Sequence, residues 1–235
     1  FIDRDGCRKM AESVKQFVAK NILPDIPCMV GIDHSLTGGA LEAVAEFYGK
    51  DAVSLVVIDT HTDAVPMSAL SDAIQYDMDT NPQSVYDPAD PYLYGRPDSY
   101  NASSFLRRLL QDEVLQPRDL FIVGVSDYPD KRTFRIKDPR IRRYANVFAD
   151  LKRSGCKILT KKECLSSPKK LKARLATIRT PYAYVSVDMD IGAMNAVEGV
   201  RFRNWKGLDE NKIYRLVDAV AEVATGKASL VGMDV

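Results

Sequence analysis

Short, nearly continuous apolar runs alternate along this chain with longer segments whose apolar residues recur every three or four positions. The runs are Cys28–Ile32, Val53–Ile58, Leu120–Val125, Lys157–Leu159, Tyr182–Val187 and Ser229–Val235. Val53–Ile58 has almost no polar position, as a strand buried on both faces of a parallel sheet requires. Helical periodicity marks Leu36–Tyr48, Ser103–Leu115, Arg140–Arg153, Lys169–Ile178 and Asp209–Thr225. In the last of these Ile213, Leu216, Val217, Val220 and Val223 share one face. Asp209 can cap its start and Gly226 its end. Strand–helix alternation predicts an α/β fold with a mainly parallel sheet. No repeat or linker interrupts it, so residues 1–235 read as a single domain. Both ends look cut, because the chain starts at Phe1 without Met and stops at Val235 inside an apolar run.

Ala64–Tyr100 breaks the rhythm. It holds five prolines, six aspartates and five tyrosines, with a short helix expected around Ser68–Ile74. So long a connection is a lid, a binding loop or a disordered stretch. Lys131–Arg143 carries seven basic residues in thirteen. It reads as a solvated helix start, since no aromatic residues interleave with the charges as a nucleic-acid platform needs. Overall charge agrees: Lys+Arg 33 against Asp+Glu 32 leaves +1, which excludes a dedicated nucleic-acid or anionic-membrane binder. No apolar run is long enough to span a bilayer. Cys7, Cys28, Cys156 and Cys164 form no paired motif and read as reduced thiols of a cytoplasmic protein.

The chemistry sits where the strands end. In open parallel sheets, sites form beyond the carboxyl ends of the strands. Asp33-His34-Ser35 follows the first run, Asp59-Thr60-His61-Thr62-Asp63 the second, and Asp188-Met189-Asp190 the fifth. Both histidines of the protein therefore lie at strand ends beside aspartate. Extended geometry would put Asp59, His61 and Asp63 on one side of the backbone, and Asp188 and Asp190 likewise. Four close carboxylates cannot all stay ionised without a cation between them. One ion would leave so many ligands underused, whereas two ions roughly 3.5–4 Å apart would use them all. Oxygen-rich ligation with some imidazole and no thiolate favours Mn²⁺ over structural zinc.

These motifs resemble those of the arginase/agmatinase/formiminoglutamase (ureohydrolase) family. Gly31-Ile32-Asp33-His34-Ser35 is similar to its G-G-D-H-S, Asp59–Asp63 to its D-A-H-x-D, and Ser186–Asp190 to its S-x-D-x-D. Phe121–Asp127 resembles a strand ending in G-x-R-D, Gly207-Leu208 the start of a G-L-T helix, and Gly232–Val235 its M-E-V. The resemblance implies a three-layer α/β/α sandwich around a sheet of about eight strands, usually in a homo-oligomer. It also implies two Mn²⁺ per chain. His34 and Asp63 would serve one ion, His61 and Asp190 the other, and Asp59 and Asp188 would bridge. The implied reaction is hydrolysis of a C–N bond in a guanidino or amidino small molecule by a metal-bridging hydroxide. Asp63 would shuttle the proton. Asp234 would orient the planar substrate cation, and Asp127 would contact its far end.

Several positions depart from the family pattern. Ile32 replaces a glycine, Ala193-Met194 stand where Asp-Pro is usual, and Val65 takes the place of an asparagine. No histidine is left for the substrate side, where Asp98, Ser99 and Asn101 are the nearest polar candidates. Glu198, Arg201 and Arg203 are further candidates there. The substrate is therefore expected to differ from plain arginine. Two alternatives stay open: a single-zinc amide hydrolase of the deacetylase type, and a non-catalytic metal-binding member.

Overall fold

A computed structural model describes residues 4–31, 33–90, 93–94, 96–166, 168–193, 196 and 207–235. Glu198, Arg201 and Arg203 lie outside the described residues, as do Ile32 and Met194.

All six apolar runs become strands: β1 (Cys28–Met29), β2 (Val53–Ile58), β3 (Leu120–Val125), β4 (Lys157–Thr160), β5 (Tyr182–Val187) and β6 (Ser229–Asp234). They form one parallel sheet in the order β1-β6-β5-β2-β3-β4. The expected α/β sandwich is present, but among the described residues the sheet has six strands and not eight. The larger number came from the resemblance. Each apolar run supplies one strand, and the described residues hold no further run of that kind. β1 is shorter than its run, although Gly31 and Val235 extend its ladder through Gly31 N–H to Val235 O and Val235 N–H to Met29 O.

Among the described residues, eight helices cover the sheet: α1 (Gly6–Asn21), α2 (Leu36–Tyr48), α3 (Met67–Thr80), α4 (Phe105–Gln111), α5 (Pro139–Ser154), α6 (Lys161–Ser166), α7 (Pro168–Leu175) and α8 (Glu210–Gly226). Alternate residues of each strand feed two cores. Val53, Leu55 and Val57 of β2 pack with α1, α2, α4 and α5, while Val56 and Ile58 pack with α6, α7 and α8. This double burial is why β2 and β3 are apolar throughout.

α2 is buried nearly all round because α1 lies over it. A Cβ on Gly39 would stand 1.9 Å from Ala11 O, so the glycine sets that close approach. Glu42 of α2, buried in this contact, is paired by Arg8 (2.6 Å) and Lys15 (3.4 Å) of α1. α3 is longer than the expected Ser68–Ile74 turn. Its Asp72 and Asp79 bind Arg143 and Arg140 of α5 at 3.0 and 2.5 Å, which neutralises part of the basic run. Asp209 caps α8 as expected, accepting from Lys212 N–H, but Gly226 is still helical and Lys227 follows it. No helix among the described residues is long and apolar enough to cross a membrane.

The chain order makes the site. From β1 the chain skips two places to β2, runs outward to β3 and β4, then returns to β5 on the other side of β2. The direction of winding thus reverses between β2 and β5, where a crevice opens at the carboxyl ends.

Candidate metal centre

β2 and β5 end in register, with Ile58 opposite Val187. Asp188 N–H donates to Ile58 O at 2.8 Å, and Asp59 N–H to Val123 O at 3.0 Å. The first carboxylate after each strand is therefore held at the crevice floor by the last rungs of the ladder. Gly124 in β3 permits this. Its φ is +107°, and a Cβ there would meet Asp59 O at 3.0 Å and Ile191 Cδ1 at 2.4 Å.

His34 reaches the same point from the loop before α2. Asp33 shapes that loop by accepting from Ser35 N–H (3.0 Å) and Ser35 Oγ (2.5 Å), and the His34 ring packs 4.9 Å from that of Phe105. His34 Nδ1 lies 2.8 Å from Asp63 Oδ2, 3.3 Å from Asp59 Oδ2 and 3.4 Å from Asp188 Oδ2. On the outer side His61 Nδ1 lies 2.9 Å from Asp190 Oδ2 and 3.7 Å from Asp59 Oδ1. Two groups result, His34-Asp59-Asp63-Asp188 and Asp59-His61-Asp190, with potential ligand atoms within 4.8 Å of one another in each. Asp59 belongs to both. Asp188 falls in the first group only, and its Oδ1 accepts Asp190 N–H at 2.9 Å.

Convergence of Asp63 comes about differently from the extended geometry expected of the D-x-H-x-D segment. The strand stops at Ile58, and Asp63 has φ +46°, a left-handed conformation that aspartate tolerates better than most residues. Neighbours brace it. Leu106 N–H donates to Asp63 O at 3.1 Å, and Val65 N–H donates to Ser103 O at 3.1 Å.

The electrostatics are those of crowded acids around two imidazoles. Burial, with the Asp63 charge beside it, pushes the Asp59 carboxyl well above the usual carboxylate range, against the opposing pull of His34. Burial and Asp190 raise Asp188. Burial alone would lower His34, but Asp59 and Asp63 outweigh it and raise it well above its ordinary value. Asp190 raises His61 to about 10. Among the described residues, two buried carboxylate oxygens, Asp59 Oδ2 and Asp190 Oδ1, have no hydrogen-bond partner. Of the oxygens facing His34 Nδ1, Asp63 Oδ2 is the nearest at 2.8 Å, and Asp59 Oδ2 stands farther off at 3.3 Å. Unpartnered buried carboxylate oxygens are costly, and a donor set of this kind fits a cation.

The remaining site residues are placed as follows. Asp127 accepts from Thr62 N–H (3.1 Å) and Thr62 Oγ1 (2.6 Å), so both of its oxygens clamp the loop that carries His61 and Asp63. Burial raises its carboxyl to about 6 despite those bonds. Asp234 is not brought to the open side. It is buried and accepts from Ser186 Oγ (2.5 Å), Thr37 Oγ1 (3.0 Å) and Tyr184 Oη (2.7 Å). Three hydroxyls occupy its oxygens, so in this structure Asp234 is engaged internally and does not face the open side where a substrate cation was expected to meet it.

Asp98 caps α3 through Ser68 N–H and Oγ. Asn101 is buried in a turn with Ser99 and Ser103. Sequence reasoning passed over Thr37, Tyr184 and Ser186. For Tyr184 and Ser186 the signal was present in β5, as two polar residues at alternate positions of a strand that sits inside the sheet, whereas Thr37 of α2 carried none.

Known proteins agree with this picture. Over 64 residues, 27% of this chain, it is 42% identical to mitochondrial agmatinase of Gallus gallus, of which the stretch is 17%. Proclavaminate amidino hydrolase from Streptomyces clavuligerus superposes with TM-score 0.64 at 21% identity, over 95% of this chain and 59% of that one. Trypanosoma cruzi formiminoglutamase with Mn²⁺ does so with TM-score 0.63 at 12% identity, over 97% and 61%. Arginase from Bacillus caldovelox gives TM-score 0.61 at 18% identity, over 97% and 65%. The chain thus spans about three fifths of the length of these structures, and at such identities the likeness is one of fold. Membership rests on the sequence profile of the Arginase family, which matches residues 2–235: the chain belongs to the arginase family.

Proposed function

We propose that this chain is a hydrolase that cleaves a C–N bond of a linear guanidino or amidino compound with two Mn²⁺ ions at the crevice between β2 and β5. The observation that carries the reading is the pair of His/Asp groups sharing Asp59, with Asp59 Oδ2 and Asp190 Oδ1 buried and without partners. The donor set fits the ions: carboxylates and imidazole without thiolate suit Mn²⁺. The mitochondrial agmatinase of Gallus gallus and the formiminoglutamase solved with Mn²⁺ support the same class of chemistry.

His34 and Asp63 would hold the inner ion, His61 and Asp190 the outer, and Asp59 both, with Asp188 beside the inner. When bound, such a pair supplies Lewis acidity that makes water a nucleophile at neutral pH. A guanidinium carbon needs this because its positive charge is delocalised and weakly electrophilic. The residues supply the rest. Asp63 would hold a proton and pass it to the departing nitrogen. Asp127, through Thr62, keeps the loop carrying Asp63 and His61 in place. A single-ion amide hydrolase would leave His34 and Asp63 without a purpose.

The test is metal analysis with a substrate panel. Protein purified without chelator should carry close to two Mn²⁺ per chain and turn over at least one of arginine, agmatine, guanidinobutyrate, formiminoglutamate or related amidines. Fewer than one ion per chain would sink the reading.

A further inference from the structure

We infer that Asp234 and Ser186 are positioning residues for the metal centre: Asp234 turns Ser186 Oγ into a hydrogen-bond acceptor, and Ser186 then fixes His34 with its hydrogen on Nε2 and its Nδ1 lone pair facing Asp59, Asp63 and Asp188. This rests on the reading of the centre given under the proposed function.

The argument is one of hydrogen counting. Asp234 Oδ1 receives Ser186 Oγ at 2.5 Å and Thr37 Oγ1 at 3.0 Å, and Oδ2 receives Tyr184 Oη at 2.7 Å. An ionised carboxylate only accepts, so each hydroxyl spends its one hydrogen on Asp234. Thr37 Oγ1 lies 3.3 Å from Ser186 Oγ but has no second hydrogen to give. Ser186 Oγ also lies 3.0 Å from His34 Nε2. With its own hydrogen committed, Ser186 can only accept there, and Nε2 must carry the hydrogen. A histidine that ligates a cation must be neutral, and in that state Nδ1 is left bare, facing carboxylate oxygens 2.8, 3.3 and 3.4 Å away. A bare nitrogen facing oxygen lone pairs is repelled unless a cation stands between them. The buried chain Asp234–Ser186–His34 thus selects the ring nitrogen that serves as ligand.

The fold brings the three together. Ser186 and Asp234 are register partners on β5 and β6, and Thr37 stands in the first turn of α2, just after the His34 loop. Ser186 and Asp234 are also nearly or wholly shielded from water, which keeps the hydrogens from being exchanged for solvent partners.

The test compares wild type with Ser186→Ala, Asp234→Asn and Tyr184→Phe. Mn²⁺ affinity is measured on metal-free protein by competition with a chelating dye. Histidine ring hydrogens are read by long-range ¹H–¹⁵N spectra of the Zn²⁺-loaded protein, which carries only two imidazoles. Wild type should show His34 with a slowly exchanging hydrogen on Nε2. Ser186→Ala should lose that protected signal and bind one of its two ions roughly 10–100-fold more weakly. Asp234→Asn should weaken the same ion, because an amide can donate to Ser186 and free its hydrogen to point at Nε2. Tyr184→Phe keeps the chain and should keep both affinities.

Thermal unfolding of each metal-free variant checks that it folds, and Asp234→Asn stands in if Ser186→Ala does not. Wild type with two ions beside a folded Ser186→Ala that binds both equally well overturns this inference alone. A hydrogen on Nδ1 in Zn²⁺-loaded wild type overturns it too. A wild type that binds no ion overturns the reading of the centre as well.

Discussion

Asp59 is the residue on which both halves of the site depend. It is wholly buried, it is shared between the two His/Asp groups, and one of its oxygens has no partner. Asp59→Asn should therefore lower bound Mn²⁺ from two ions toward none. His61→Ala should leave the inner ion in place, since His61 touches only the outer group. Elemental analysis after gel filtration separates the two results, and equal retention in both variants would contradict the sharing. Without metal the sign for stability reverses. Replacing a buried carboxyl that burial and the Asp63 charge strain should make metal-free Asp59→Asn more stable than metal-free wild type by about 1–3 kcal/mol in urea. Asp127 gives a pH signature of its own. Its folded carboxyl is raised to about 6, against about 3.9 in an unfolded chain. Between those values the folded state binds more protons, so stability falls as pH rises through that window, by at most about 3 kcal/mol and less for its partial exposure. Asp127→Asn should flatten this difference in denaturant titrations from pH 4 to 7.

The strands were legible because each one buried on both faces leaves an unbroken apolar run, and the motifs were legible because they follow those runs directly. What escaped had weaker local signals. The stripe of α1, Cys7, Ala11, Val14 and Val18, is narrow and set among charges, and its close approach depends on Gly39 of α2. α6, with six residues, is too short for a periodicity to register. The left-handed turn at Asp63 is set by contacts with Ser103 and Leu106, distant in sequence, so no pattern around Asp63 announces it. The role of Asp234 escaped for a similar reason, since its hydroxyl partners come from β5 and α2. β3 offers a sharper test of how elements shape the centre. Gly124→Ala forces a Cβ onto a backbone at φ +107° and against Asp59 O at 3.0 Å and Ile191 Cδ1 at 2.4 Å. It should lower stability by about 1–3 kcal/mol. It should also weaken Mn²⁺ binding, because Asp59 must move. Loss of stability with unchanged affinity would mean that the β3–β2 contact supports the fold but not the site.

Taken as one molecule, the chain places charge where folding alone would not. Six parallel strands bury ordinary aliphatic cores on both faces, yet four carboxylates and two imidazoles are gathered at the point where the winding reverses. In the metal-free state burial and mutual repulsion raise Asp59 and Asp188, and two buried oxygens go without hydrogen bonds. That arrangement opposes folding, and a cation that binds only the folded crevice reverses it by mass action. At 100-fold excess over its dissociation constant each ion adds about 2.7 kcal/mol. For a chain of this size each kcal/mol corresponds to about 2–4 °C in Tm. Mn²⁺ should therefore raise the melting temperature of metal-free protein by several degrees, and a chelator should return it to the starting value. Asp59→Asn should start higher without metal and gain little from Mn²⁺. A wild-type melting curve indifferent to both Mn²⁺ and chelator would mean that the crevice tolerates its carboxylates by proton uptake instead, and the two-ion reading would fall with it.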